Sequence, residues 1–130
     1  MKSFTILTPT RTALVNITSH VSKAVTESGI RNGAVVVYVP HTTCGITINE
    51  AADPDVAQDI LMQLDKTVPR GRMYRHREGN ADAHIKTSLL GTSATVLIED
   101  GQLVLGTWQG IFLGEFDGPR NRKVYLQFLS

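Results

Sequence analysis

The run His41-Thr42-Thr43-Cys44-Gly45-Ile46-Thr47-Ile48-Asn49-Glu50 carries an imidazole, the chain's only thiol, an amide and a carboxylate. A turn at 41–43 would bring His41 and Cys44 together, and a thiolate beside an imidazole favours zinc among the common metals. A continuous strand would instead put the two on opposite faces. A third ligand must come from elsewhere, and His84 and His76 are the candidates. The plainer alternative is a small buried cysteine beside a hydrogen-bonded histidine.

A second group lies at His76, Glu78, Asn80, Asp82 and His84. A carboxylate beside an imidazole suits general acid–base work, while a solvated loop is the alternative. His84 shares an expected helix with Ile85, Leu89 and Leu90, so it need not face water. Lys86 on that helix could hold a phosphate or be an ordinary surface lysine. Trp108, between Gly106 and Gly110, could stack on a ring, fill a subunit interface or pack in the core. Arg120 and Arg122 follow the turn Asp117-Gly118-Pro119. They could bind an anion, although a solvated hairpin tip is the simpler expectation.

At 130 residues one domain spanning 1–130 is expected, large enough to bury a core. The formal charge of +1 gives no reason to expect broad capture of nucleic acid or of an anionic membrane. The basic run Arg70, Arg72, Arg75 and Arg77 lacks interleaved aromatics apart from Tyr74. No stretch reaches the roughly 18 apolar residues of a membrane helix. Met1-Lys2-Ser3-Phe4-Thr5 turns polar too soon for a signal peptide. With one cysteine, a reducing cytoplasm is the expected setting. Phosphate-cradling loops, dinucleotide fingerprints, nucleophile elbows and Cys-x-x-Cys pairs are absent from the sequence.

The elements that must position these groups follow from the apolar pattern. Strands are expected over Phe4–Leu7 and Thr12–Ile17. A helix capped by Thr18 or Ser19 should run to Gly29, with Val21, Ala24 and Val25 on one face. Ala34–Val39 reads as a strand buried on both faces, with Gly45–Asn49 as its antiparallel partner. Asp53-Pro54-Asp55 starts a second helix whose Val56, Ile60, Leu64 and Val68 make a core stripe, ended by Pro69. A short helix over Ala83–Leu90 should stop at Gly91. Ala94–Glu99 and Leu103–Leu105 form a hairpin around Asp100-Gly101. Gln109–Phe116 and Lys123–Leu129 are the last strands. The order β-β-α-β-β-α-loop-α-β-β-β-β argues an α+β domain with a mainly antiparallel sheet.

Four blocks resemble the YjbQ family: His41-Thr42-Thr43 with Asn49-Glu50 and Asp53-Pro54; Tyr74-x-His76-x-Glu78-Gly79; His84-Ile85-Lys86; and Gly106-Thr107-Trp108-Gln109-Gly110. Their order and spacing match over nearly the whole chain. The resemblance implies a small sandwich-like α+β domain that assembles as a homotrimer. It also implies a secondary thiamine-phosphate synthase activity, in which a hydroxymethylpyrimidine diphosphate joins a thiazole phosphate and pyrophosphate is released. His41, Asn49, Glu50, His76, Glu78, His84, Lys86, Trp108 and Gln109 stand on the family's motif positions, and Cys44 lies outside them. In the enzyme reading, Glu50, His76, Glu78 and His84 are catalytic candidates. Asn49, Lys86, Trp108, Gln109 and Arg120 are substrate-binding candidates, and His41, Cys44 and His84 are metal candidates. The expected cofactor is a divalent metal, zinc or magnesium, and the expected partner is a small phosphorylated metabolite. The competing reading is a trimeric protein that binds a metal or phosphometabolite without turnover.

Overall fold

Runs of β-branched residues alternate with short polar turns along most of this chain, and they fold as two antiparallel sheets. The computed structural model describes residues 1–71 and 73–130; Arg72 of the basic run lies outside them. The larger sheet has the order β1 (Lys2–Leu7), β8 (Asn121–Leu129), β3 (Gly33–Tyr38), β5 (Ser93–Glu99), β6 (Gln102–Leu103). The smaller has the order β2 (Ala13–Asn16), β7 (Gln109–Glu115), β4 (Cys44–Glu50). Three helices complete the described residues: α1 (Thr18–Ser28), α2 (Pro54–Thr67) and α3 (Ala81–Leu90). The α+β class and the element order agree with the sequence pattern.

The core lies between the sheets. Val35, Val37, Val96, Ile98, Val124 and Leu126 from the larger sheet meet Ile46, Ile111 and Leu113 from the smaller, and Val21 and Val25 of α1 join them. Several boundaries follow from local chemistry. Gly29 ends α1 in the left-handed conformation. The Asp53 carboxylate accepts the Asp55 N–H at 2.9 Å and caps α2. Asp100 and Gly101 both take positive φ, which the tight β5–β6 hairpin requires.

Three expectations are corrected. β4 does not pair with β3; it pairs with β7, with Cys44 opposite Glu115 and Glu50 opposite Gln109. Residues 39–43 carry the chain from one sheet to the other, so a short connection here is a crossing and not a hairpin. The α2 stripe is not core: only Val68, at its end, is buried, and Val56, Ile60 and Leu64 are half-buried. Neither Thr18 nor Ser19 caps α1 from the N-cap position, which is Ile17. Thr18 Oγ1 instead accepts the Ile111 N–H at 2.9 Å, tying the helix start to β7.

A polar knot joins the two sheets. Glu115 ends β7 in the smaller sheet and Arg122 lies in β8 of the larger; both are buried. The Glu115 carboxylate accepts from Thr8 Oγ1 at 2.7 Å, from Arg122 Nε at 2.8 Å, and from the N–H groups of Phe116 and Asp117 at 3.0 Å each. Arg122 Nη2 bonds its other oxygen and also donates to Thr43 Oγ1 at 2.8 Å. A carboxylate with this many donors, and a guanidinium engaged through Nε and Nη2, meets much of the hydrogen-bond demand that burial imposes. A second buried cluster fixes α3: Lys86 donates to Asp82 and to Asp65 of α2, while Arg11 grips Asp82 with both terminal nitrogens.

The last turn of α3 settles into a notch made by two glycines that face each other across β4 and β7, Gly45 and Gly114. A Cβ at Gly45 would stand 2.4 Å from the Gly91 carbonyl oxygen, and one at Gly114 would stand 2.7 Å from Leu90 Cδ2. Gly45→Ala should therefore push α3 off the sheet and cost about 1–3 kcal/mol, read as a lower urea midpoint. Glu115→Gln should cost more, on the order of 3–5 kcal/mol, because it leaves the Arg122 cation buried without its partner. The sign of the pH effect is fixed as well. Burial alone would raise the Glu115 carboxyl, but the bonds from Arg122, Asp117 N–H and Thr8 hold it below 4.5. Its contribution is therefore complete above pH 4.5 and is lost as pH falls through the lower folded value. Urea titrations on the acid side of pH 4.5 should show wild type losing stability more steeply than Glu115→Gln.

Candidate functional site

Above the Glu115–Arg122 knot, three segments converge. The crossing at 40–43 brings His41, Thr42 and Thr43; the segment entering α3 brings Glu78, Asn80 and His84; the β7–β8 turn brings Asp117 and Arg120. With Pro40 and Arg122 these residues line a cavity of about 350 Å³. A neighbouring cavity of about 540 Å³ shares His41, Thr42 and His84 and extends along α3 past Thr87 and Ser88 to Gly91 and Thr92. The glycine notch under Leu90 holds α3 at the height that makes His84 common to both. A separate cleft of about 260 Å³ between β1 and α1, with Phe4 and His20 stacked in its wall, contains none of the residues singled out from the sequence.

His41 is fixed by β8: its Nε2 accepts the Lys123 N–H at 2.9 Å. Burial first, then the positive charge of Arg122, hold this imidazole below its ordinary 6.5. The ring of His84 is half-buried and stands edge-on to His76, centroids 5.2 Å apart. His76 Nε2 lies 3.6 Å from Glu78 Oε2, so His76 touches both His84 and Glu78, although it lines neither cavity itself. Asp117 accepts from Asn80 Nδ2 at 2.9 Å and from Arg120 at 3.1 Å. Burial would raise the Asp117 carboxyl, but these bonds and the charge of Arg120 lower it, so it stays an anion. With its amide nitrogen committed to Asp117, Asn80 presents Oδ1, which is buried without a partner among the described residues. Thr87 Oγ1, in the wall of the second cavity, is in the same condition. Two unpaired polar atoms at one site are unusual in a folded interior.

The other sequence candidates lie elsewhere. Asn49, Glu50, Trp108 and Gln109 form a group of their own: Glu50 pairs with Gln109, and the Ala51 N–H donates to the Trp108 carbonyl at 2.7 Å. That group sits at the opposite end of β4 from His41, on the order of 20 Å away at ~3.3 Å per residue. Trp108 is 64% exposed, which excludes the core-packing reading within this chain. Lys86 is turned inward to Asp65 and Asp82 and lines neither cavity. Cys44 is fully buried in the core cluster, and burial pushes its thiol up to about 12.

These residues do not suit a zinc ion. Cys44 remains a thiol, the lone pair of His41 Nε2 is taken by Lys123, and among the described residues no group of three or more His, Cys, Asp or Glu is arranged to hold a metal. Several residues of the site were missed from the sequence. Arg122, expected at a solvated tip, is buried. Glu115 interrupts the apolar strand Gln109–Phe116, and a lone carboxylate in such a run demands a buried partner. That signal could have found the pair.

Residues 2–130 match the family described as UPF0047 protein YjbQ-like. A UPF0047 protein of Methanocaldococcus jannaschii is 52% identical over 98% of this chain and 92% of its own. The UPF0047 protein YugU of Bacillus subtilis is 48% identical over 100% and 99%. The crystal structure of an uncharacterised YjbQ/UPF0047-family protein from Clostridium acetobutylicum, 53% identical, covers 99% of this chain and 100% of that one with a TM-score of 0.97. A YbjQ-like protein of unknown function from Sulfolobus solfataricus, 35% identical, gives 0.95 over 99% and 95%. No helix among the described residues is long and apolar enough to cross a membrane. From end to end, this chain belongs to the YjbQ-like UPF0047 family.

Proposed function

We propose that the paired cavities bind a small phosphorylated metabolite and act on it by proton transfer. The observation that carries this reading is the convergence of His41, Glu78, His84 and Arg120 on one cavity whose Asn80 Oδ1 lacks a partner among the described residues, beside a second cavity, sharing His41 and His84, whose Thr87 Oγ1 also lacks one. Arg120 is half-exposed; Asp117 holds its Nε through the backbone carbonyl and its Nη2 through the carboxylate, leaving Nη1 for a phosphate. His84 and Glu78, braced by His76, are the acid–base candidates. Thr87 and Asn80 would hold the polar remainder of the ligand.

The specific activity to test is the thiamine-phosphate synthase reaction. Purified protein with the hydroxymethylpyrimidine diphosphate, the thiazole phosphate and Mg²⁺ should release pyrophosphate. His84→Ala should lower kcat by about 10²-fold or more, the scale of a lost acid–base group. Arg120→Ala should raise KM with a smaller loss of kcat. Equal inertness of wild type and both variants would remove the synthase reading; retained phosphate binding in that case would favour a binding protein without turnover.

We also propose a homotrimer. Its support is the half-covered apolar stripe of α2 together with Met62, Leu89 and Trp108, which are 48%, 61% and 64% exposed. Copies that cover these side chains would also enclose the Asn49–Glu50–Trp108–Gln109 group. Light scattering should give three times the 14.2 kDa chain mass, and Trp108→Ser should shift the population toward monomer. A monomeric wild type would remove the proposal.

A further inference from the structure

We propose that His41 serves as a fixed, neutral hydrogen-bond donor, offering its Nδ1–H to an anionic oxygen of the ligand. An N–H group donates only, so the bond from the Lys123 amide into His41 Nε2 at 2.9 Å requires a lone pair there. A neutral imidazole has one proton, and that proton must then sit on Nδ1. Among the described residues the bond to Lys123 is the one the ring makes. The ring lines both cavities, which leaves Nδ1–H for whatever fills them.

The surroundings keep the ring neutral without taking its donor. Burial first, then the charge of Arg122 of β8, oppose protonation and outweigh the Lys123 backbone and Glu115 of β7, which favour it; Glu115 is itself engaged by its own donors. Across the cavity stand Glu78, Asn80 and His84 from the α3 side and Asp117 and Arg120 from the β7–β8 turn. Such a donor needs no proton uptake and no reorganisation when a ligand oxygen arrives, the property that makes preorganised dipoles effective at developing negative charge. It is the reverse of a general base, whose nitrogen must be free to accept. His41 and His84 therefore divide the work: one donates to an oxygen, the other exchanges protons. With Arg120 lining the same cavity, the ligand class is one with a phosphate oxygen between a guanidinium and a neutral imidazole.

This inference rests on the reading of the cavity as a phosphate site, and one experiment separates the two. Protein labelled with ¹⁵N in its histidine rings and arginine side chains is titrated with inorganic phosphate at pH 6.5, the ordinary midpoint of a histidine. His41 should be mostly neutral there, with the proton on Nδ1, and its Nδ1 signal should move with phosphate while the tautomer stays unchanged. His41→Asn, which places an amide donor near the Nδ1 position, should bind phosphate more tightly than His41→Leu by about tenfold, the worth of one hydrogen bond to a charged group. A proton on Nε2, or a ring that becomes charged as phosphate binds, overturns the proposal. If the Arg120 signal moves and that of His41 does not, the phosphate site stands and the role of His41 falls. If neither moves, both fall.

Discussion

The salt bridge between Glu115 and Arg122 is the constraint on which this molecule turns. It joins the last residue of a strand in the smaller sheet to a strand of the larger, and its remaining bonds reach Thr8 and Thr43. Burying two charges is costly, and a pair of this kind rarely adds net stability over apolar packing. Its value here is one of position. It specifies which residues meet where the chain crosses between sheets, and that crossing carries His41. Two of the three converging segments are anchored to the knot within a few residues: His41 and Thr42 through Thr43, and Asp117 through Glu115.

Electrostatics and packing divide the support of α3. The Gly45–Gly114 notch lets Leu90 and the Gly91 carbonyl approach the sheet, and Lys86 with Asp82 and Arg11 fixes the other end of the helix. Between these holds the helix presents His84 and Thr87 to the cavities. The result is a site whose first residues come from a loop and a helix but whose support lies in strands, the arrangement that holds functional groups to useful tolerance.

Much of the fold was legible because local chemistry agreed with it. Asp53-Pro54 could start only a helix, Asp100-Gly101 suits only a tight hairpin, and the β-branched run around Val35–Val37 fits a strand. The partner of β4 was not legible, since nothing in 40–43 distinguishes a turn within one sheet from a crossing between two. Of the site, the two histidine-bearing blocks were visible and do converge. Lys86 stood out as a charge, and Asp82, four residues before it on the same helix, is a partner that spacing could show; Asp65 lies on α2, whose approach to α3 is not written in periodicity. Cys44 stood out by rarity, and the same strand alternation that placed it also buried it. Asn49, Glu50, Trp108 and Gln109 do cluster, at the far end of the strand from His41, a separation that linear spacing cannot show.

We propose that anions are recognised between His41 and Arg120, over the buried pair. A crystal structure of the protein grown with inorganic pyrophosphate is the decisive measurement. Pyrophosphate oxygens should lie within hydrogen-bond reach of His41 Nδ1 and the Arg120 guanidinium, with His84 beside them. Pyrophosphate bound instead at the Trp108 end of β4, or between Lys2 and Lys23, with the His41 cavity empty, would contradict it.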